Sequence, residues 1–313
     1  MAKIGIVFPG QGSQSVGMGK DFFDAHPTAK QVFEEANDAL GFDVASLCFE
    51  GPEEELKLTK NTQPAIVTAS IAALRVLQDN IALDMQYVAG HSLGEYSALV
   101  CAQSLDFSDA VRTVRKRGEF MQDAVPVGTG TMAAIIGLEQ AKVEEFCRQV
   151  GREDNIVTLA NINSPGQYVI SGHVSAVNEV VELAKQGGAK RAIPLAVSAP
   201  FHCALMRPAA EKLEQALQSV TFKDLSIPLI NNAEASVLRR GAEVRDSLVR
   251  QMYKSVEWEK TVRLMIEDGV TTFIEVGPGK VLSGLLKRID KKMKGLNVSD
   301  LKTLEKTLQA LQG

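Results

Sequence analysis

The pentapeptide Gly90-His91-Ser92-Leu93-Gly94 restricts what this chain can become more than any other feature. A short apolar run, Gln86 to Ala89, precedes it, and a good helical stretch, Glu95 to Ala102, follows. A serine flanked by glycines at this spacing, after a strand and before a helix, reads as a nucleophile elbow. The sharp turn lifts the hydroxyl clear of a sheet, and the glycines let the backbone make that turn. The following helix would aim its N-terminus, with free N–H groups and partial positive charge, at the serine. The backbone N–H of Leu93 could then stabilise an oxyanion. The competing reading is a glycine-flanked serine in an ordinary βα loop.

The rest of the chain fits an enzyme of this kind. Its 313 residues, 45% hydrophobic and 23% charged, suffice for one large domain or two coupled ones. A net charge of −4 argues against nucleic acid, which needs a basic face, but leaves a small anionic substrate open, because one buried arginine can bind that. Cys48, Cys101, Cys147 and Cys203 are too widely spaced for a CxxC pair or a local zinc site, so four reduced thiols and no metal are expected. The apolar run Ile4 to Phe8 is too short for a secretory segment, and no run approaches the ~20 residues that span a bilayer. We expect a soluble cytoplasmic enzyme.

Strand–turn–helix units recur at Lys3 to Phe8 with Pro9-Gly10-Gln11-Gly12, at the elbow, and at Thr272 to Val276 with Gly277-Pro278-Gly279 and a helix from Val281. Such alternation indicates α/β units around a mainly parallel sheet. The middle differs. Thr131 to Ile136, Val157 to Ala160, Gln167 to Ser171 and Arg191 to Leu195 read as strands, with helices over Gln140 to Gln149 and Ser175 to Gln186. That order, βαββαβ, is ferredoxin-like. The expected fold is therefore an α/β large subdomain (1–127 and 198–313) with a small ferredoxin-like subdomain inserted at 128–197, the two forming one rigid body around a cleft. Leu301, Leu304, Leu308 and Leu311 form one apolar stripe on a C-terminal helix, with Ser299 as its expected N-cap.

A serine at neutral pH needs a base. Of four histidines, His26 precedes Pro27 in an early helical region and is expected to be exposed, and His173 lies in the small subdomain. His91 adjoins the serine but should point away from it. His202, in a loop after the last small-subdomain strand, is the remaining candidate, although a lone histidine is more often structural than catalytic. No acid completes a triad: Asp106, Asp109, Asp123, Glu139 and Asp154 lie between serine and histidine, but none ends an apolar strand. A backbone carbonyl is expected to orient His202 instead. On a helix from Phe107 to Met121 advancing ~100° per residue, Arg117 falls at the edge of the apolar arc, while Arg112, Arg115 and Lys116 lie on the solvated face. An inward arginine needs an anionic partner, either a structural ion pair or a substrate carboxylate. The loop Gly10-Gln11-Gly12-Ser13-Gln14 invites a dinucleotide reading but has Ser15 at the third glycine position, and suits the second half of an oxyanion hole better.

Together these residues resemble the bacterial malonyl-CoA:acyl carrier protein transacylases over nearly the whole chain. The resemblance rests on Phe8-Pro9-Gly10-Gln11-Gly12-Ser13-Gln14, Thr62-Gln63-Pro64-Ala65, Gly90 to Tyr96, Asn163-Ser164-Pro165-Gly166-Gln167, Phe201-His202 and Glu275-Val276-Gly277-Pro278-Gly279. It implies an α/β-hydrolase-like large subdomain with a ferredoxin-like small one. It implies Ser92 as nucleophile, His202 as base, and an oxyanion hole from the amides of Gln11 and Leu93. It also implies that Arg117 binds the malonyl carboxylate, that the Gln251 carbonyl orients the histidine, and that His91 and Asn161 line the pocket. Phe201 before His202 is similar to the Phe-His pair of malonyl-selecting domains and implies rejection of a branched methylmalonyl group. The implied reaction is ping-pong transfer of malonyl from malonyl-CoA to the thiol of acyl carrier protein. It needs no cofactor, nucleic acid or membrane, and a monomer is expected. A thioesterase on the same elbow, a free-standing acyltransferase serving a polyketide synthase, and a dinucleotide-binding protein are the alternatives.

Overall fold

The computed structural model describes residues 3–197 and 199–312. Residue 198, at the expected subdomain boundary, lies outside them, as do residues 1, 2 and 313. Ten strands fall into two sheets: β1 (Lys3–Phe8), β2 (Met85–Gly90), β3 (Gly130–Ile136), β4 (Val157–Ser164), β5 (Gln167–His173), β6 (Arg191–Pro194), β7 (Leu229–Ile230), β8 (Val237–Leu238), β9 (Val270–Val276) and β10 (Lys294–Val298). The first sheet has the order β10-β9-β1-β2-β7-β8, parallel except for the final β7–β8 pair. Its central strand β1 is buried from Ile4 to Phe8, as expected of a parallel strand covered on both faces.

The second sheet is antiparallel, in the order β4-β5-β3-β6. Helices Gln140–Val150 and Val174–Gln186 cover one face and share a separate core with Ile135 and Ile170 through Val143, Phe146, Val177 and Val180. Met132, Ala160 and Val169 join the main core instead, so this sheet is packed against the larger unit rather than tethered to it. A parallel bridge from Asn161 to Val256 adds to the junction. Strand β4 runs on to Ser164, through residues expected to form a connection, leaving Pro165-Gly166 as the hairpin loop. The polar Asn161 and Asn163 disguised this strand; both are buried in it.

The 22-residue helix Thr59–Asn80 shows no amphipathic stripe because it is buried almost all round, and it contains Pro64. Pro64 has no N–H for the Lys60 carbonyl four residues back. Arg115, on the solvated face as expected and paired with Glu119 at 2.9 Å, also donates to that carbonyl at 3.2 Å, so it serves the neighbouring helix as well. At the C-terminus, Asp300 rather than Ser299 caps helix Leu301–Gln312, its Oδ1 accepting the Thr303 amide at 2.7 Å. The leucine stripe packs on the main core as expected. No described helix is long and apolar enough to cross a membrane.

Candidate active site

The elbow sits at the carboxyl end of β2, where Gly90 pairs with Phe8 at the end of β1. Crevices outside the carboxyl ends of parallel strands are where α/β folds place ligands. The glycines serve close packing more than dihedral freedom. A Cβ on Gly94 would lie 2.2 Å from the Phe8 carbonyl oxygen, and one on Gly10 would lie 2.4 Å from that of His91. The first loop can therefore abut the elbow only because both positions lack a side chain. The left-handed residue of the turn is Ser92 itself, with φ 49°. Such a conformation costs roughly 1–3 kcal/mol and persists where its surroundings fix it. Asn232 does so here: its Oδ1 accepts the Ser92 N–H at 2.5 Å, and its Nδ2 donates to the Gly90 carbonyl at 2.7 Å.

His202 is buried, also at positive φ (58°), with Nε2 2.8 Å from Ser92 Oγ. Its Nδ1 lies 2.8 Å from the backbone oxygen of Gln251, at the end of helix Gly241–Gln251. A carbonyl oxygen only accepts, so Nδ1 carries the proton and Nε2 is left as an acceptor for the serine proton. Burial, and secondarily the Arg117 charge, push the His202 pKa down to about 3. The imidazole is therefore neutral at physiological pH, as a base must be.

Arg117 is 1% exposed, on helix Phe107–Gln122. Its Nη1 donates to Gln63 Oε1 at 2.8 Å, and its Nη2 donates to Gln251 Oε1 at 2.9 Å and to Ser92 Oγ at 3.2 Å. The anionic partner expected from the sequence is not in direct contact. Two neutral carboxamide oxygens hold the guanidinium and leave its charge available beside the nucleophile. The nearest carboxylate, Glu95, reaches Arg117 only through the Gln251 side chain, whose Nε2 donates to Glu95 Oε2 at 2.9 Å.

Ser92, His202 and Arg117 share a cavity of about 440 Å³ with Gln11, His91, Leu93, Asn161 and Phe201. All the sequence-derived site residues except Gln251 line it directly; Gln251 supports it from behind. Among the described residues, neither the Gln11 nor the Leu93 backbone N–H donates to a protein acceptor, so both amides remain unpaired beside the serine. His91 does line the cavity, but its Nε2 pairs with Asn163 Oδ1 at 2.8 Å and leaves the serine alone. His26 is half-buried near Phe22 rather than exposed, and His173 accepts the Ile156 amide within the antiparallel sheet. Gln63, Glu95 and Asn232 are site residues that sequence reasoning left without a role. Gln63 and Glu95 stood inside quoted motifs, which was the only available signal.

The acyl transferase domain model matches residues 6–305. The malonyl CoA-acyl carrier protein transacylase of Bacillus subtilis is 51% identical over 312 residues, covering 100% of this chain and 98% of the relative. The crystal structure of an acyl carrier protein S-malonyltransferase from Vibrio cholerae superposes with a TM-score of 0.95 at 47% identity, covering 98% of this chain and 100% of that one. A malonyl-transacylase solved in complex with a type II polyketide synthase acyl-carrier protein gives a TM-score of 0.96 at 46% identity, with coverage of 99% and 100%. With a serine, a neutral histidine and a buried arginine converging where these relatives share their fold, the chain belongs to the acyl transferase domain family and, within it, to the malonyl CoA-acyl carrier protein transacylases.

Proposed function

We propose that this chain moves the malonyl group of malonyl-CoA to the phosphopantetheine thiol of acyl carrier protein through a malonyl ester on Ser92, supplying fatty acid synthesis. The observation that carries this reading is the buried Arg117 guanidinium, held by neutral oxygens 3.2 Å from Ser92 Oγ. A carboxylate two bonds beyond a thioester carbonyl attacked by Ser92 fits that fork. Ser92 Oγ attacks the thioester carbonyl while His202 Nε2 takes its proton. The amides of Gln11 and Leu93 stabilise the oxyanion, and the Gln251 carbonyl holds the imidazolium in place. Collapse breaks the C–S bond, and His202 returns the proton to the departing coenzyme A thiolate. The carrier thiol then gives its proton to His202 and attacks the ester carbonyl; the C–O bond to Ser92 breaks, His202 returns the proton to Ser92 Oγ, and the malonyl group leaves on the carrier thiol. Asn161 and His91 line the acyl pocket, and Phe201 closes the space a methyl branch would need.

On this reading residues 128–197 are the small subdomain and the remainder the large one. The chain works as a cytoplasmic monomer without cofactor, nucleic acid or membrane. The relative in complex with a polyketide carrier favours a second reading, service to a polyketide synthase. Assays with malonyl-CoA and methylmalonyl-CoA, with and without holo-acyl carrier proteins of either pathway, test the proposal. Malonyl should accumulate on the fatty acid carrier with little hydrolysis, and methylmalonyl should transfer at least tenfold more slowly, a modest steric discrimination. Hydrolysis independent of carrier would point to a thioesterase.

The histidine also fixes a pH dependence. With its pKa near 3, His202 stays neutral in the folded chain while the unfolded chain takes up this proton below about 6.5. This residue therefore lowers stability as pH falls from 6.5 towards 3. It should leave acyl-enzyme formation without an acid limb near 6.5. Stopped-flow kcat/KM measured from pH 7 to pH 5 checks this, and a fall with midpoint near 6.5 would contradict it.

A further inference from the structure

Glu95 is the second residue of helix Gly94–Cys101 and is 1% exposed. A buried carboxylate needs a reason, since its charge is costly to remove from water. Its Oε2 accepts the backbone N–H of Asn232 at 3.0 Å and Gln251 Nε2 at 2.9 Å. Asn232 holds the strained Ser92 backbone. The Gln251 carboxamide also donates to the Ser92 carbonyl at 3.0 Å. With Nε2 committed to these two acceptors, Oε1 has to face Arg117, where it accepts Nη2 at 2.9 Å. One carboxylate oxygen thus sets the orientation of the amide that holds the arginine. The other oxygen, Oε1, has no hydrogen-bond partner among the described residues and can carry a proton.

The charges around Glu95 are few. Arg117 faces it from helix Phe107–Gln122, across the Gln251 amide, and Glu234 faces it from the turn after β7. Tyr96 is its neighbour on the helix and stays protonated, because burial raises its pKa. His202 is neutral, and burial also lowers the pKa of His91. Arg117 and an ionised Glu95 therefore balance each other when the fork holds no substrate. A substrate carboxylate on Arg117 would leave two buried negative charges for one positive. Like charges in a shared site raise a carboxyl pKa.

We propose that Glu95 is a positioning residue that exchanges charge with the substrate: it fixes the Gln251 amide and balances Arg117 in the free enzyme, then takes a proton from solvent onto Oε1 when the malonyl carboxylate binds. This rests on the assignment of Arg117 to the malonyl carboxylate. Burial already raises the Glu95 pKa to about 7 against the bonds from Gln251 and Asn232, so a further rise on binding falls within the working range. By linkage, binding that takes up one proton weakens with pH above the free-enzyme pKa, approaching tenfold per unit, and is flat below it.

The test is isothermal titration of malonyl-CoA into the Ser92→Ala protein, which binds without turnover, in two buffers of different ionisation enthalpy from pH 6 to 8.5. Net uptake approaching one proton is expected above pH 7, with none for acetyl-CoA. The uptake should vanish when Glu95→Gln, which keeps an acceptor oxygen, is added. Zero uptake for malonyl-CoA would overturn the proposal without any Glu95 variant, as would unchanged uptake in the Glu95→Gln protein. If wild-type protein gains no malonyl ester on Ser92, the underlying reading fails instead. If the ester forms, Arg117→Ala shifts the malonyl/acetyl preference and no proton is taken up, only the role of Glu95 fails.

Discussion

Ser92→Ala is expected to lower malonyl transfer by roughly ten-thousand- to million-fold, the range seen when a catalytic serine is removed from a hydrolytic triad. Among the described residues no other nucleophile stands ready: Lys57 lines the cavity but is held as an ammonium by Glu53 at 2.8 Å. Among the cavity-lining residues His91 is paired with Asn163, and His202 points its free nitrogen at the serine. Cys203 is the nearest cysteine in sequence to the histidine, but its buried Sγ donates to the Pro200 carbonyl at 3.2 Å. Burial raises its pKa, which keeps it a thiol. The fold should survive, because the Ser92 backbone is held through its N–H and carbonyl by Asn232 and Gln251, not through its hydroxyl. Steady-state transfer assays with matched circular dichroism check both halves of this prediction. Residual activity above a thousandth of wild type would place the nucleophile elsewhere.

Arg117→Ala is the second large effect, and it should fall unevenly on different substrates. Removing one partner of a buried charge pair costs about 2–5 kcal/mol, which is roughly 30- to 5,000-fold in kcat/KM for malonyl-CoA. Acetyl-CoA has no carboxylate to lose, so its rate should change far less, and the malonyl/acetyl preference should shift strongly towards acetyl. The substitution also strands Gln63 Oε1 and Gln251 Oε1, which have no other cationic donor among the described residues. Some loss common to both substrates is therefore expected, and the ratio is the diagnostic quantity. An unchanged malonyl/acetyl ratio would remove Arg117 from substrate recognition.

The elbow, the histidine and the inward arginine were legible because each leaves a local mark. Ser92 has glycines at fixed offsets, His202 has few rivals, and Arg117 is a charge on the apolar edge of its own helix. The antiparallel insert was legible from its strand and helix order, and its strand order matches the ferredoxin-like pattern. What stayed hidden depends on distant partners. Arg117 meets Gln63 across 54 positions, while Glu95 meets Asn232 across 137 and Gln251 across 156. No periodicity or spacing rule reaches so far. Arg115 shows the same limit: besides its ion pair with Glu119 on the outer face, it reaches the carbonyl that Pro64 leaves free on another helix. Strand β4 was cut short because Asn161 and Asn163 look like loop residues until the sheet buries them at the site.

The most direct test of the central claim is intact-protein mass spectrometry after brief incubation with malonyl-CoA and no carrier, followed by peptide mapping. One malonyl adduct per chain, mapped to Ser92 and discharged on adding holo-acyl carrier protein, is the predicted result. No adduct, or a malonyl ester still present on the Ser92→Ala protein, would contradict it.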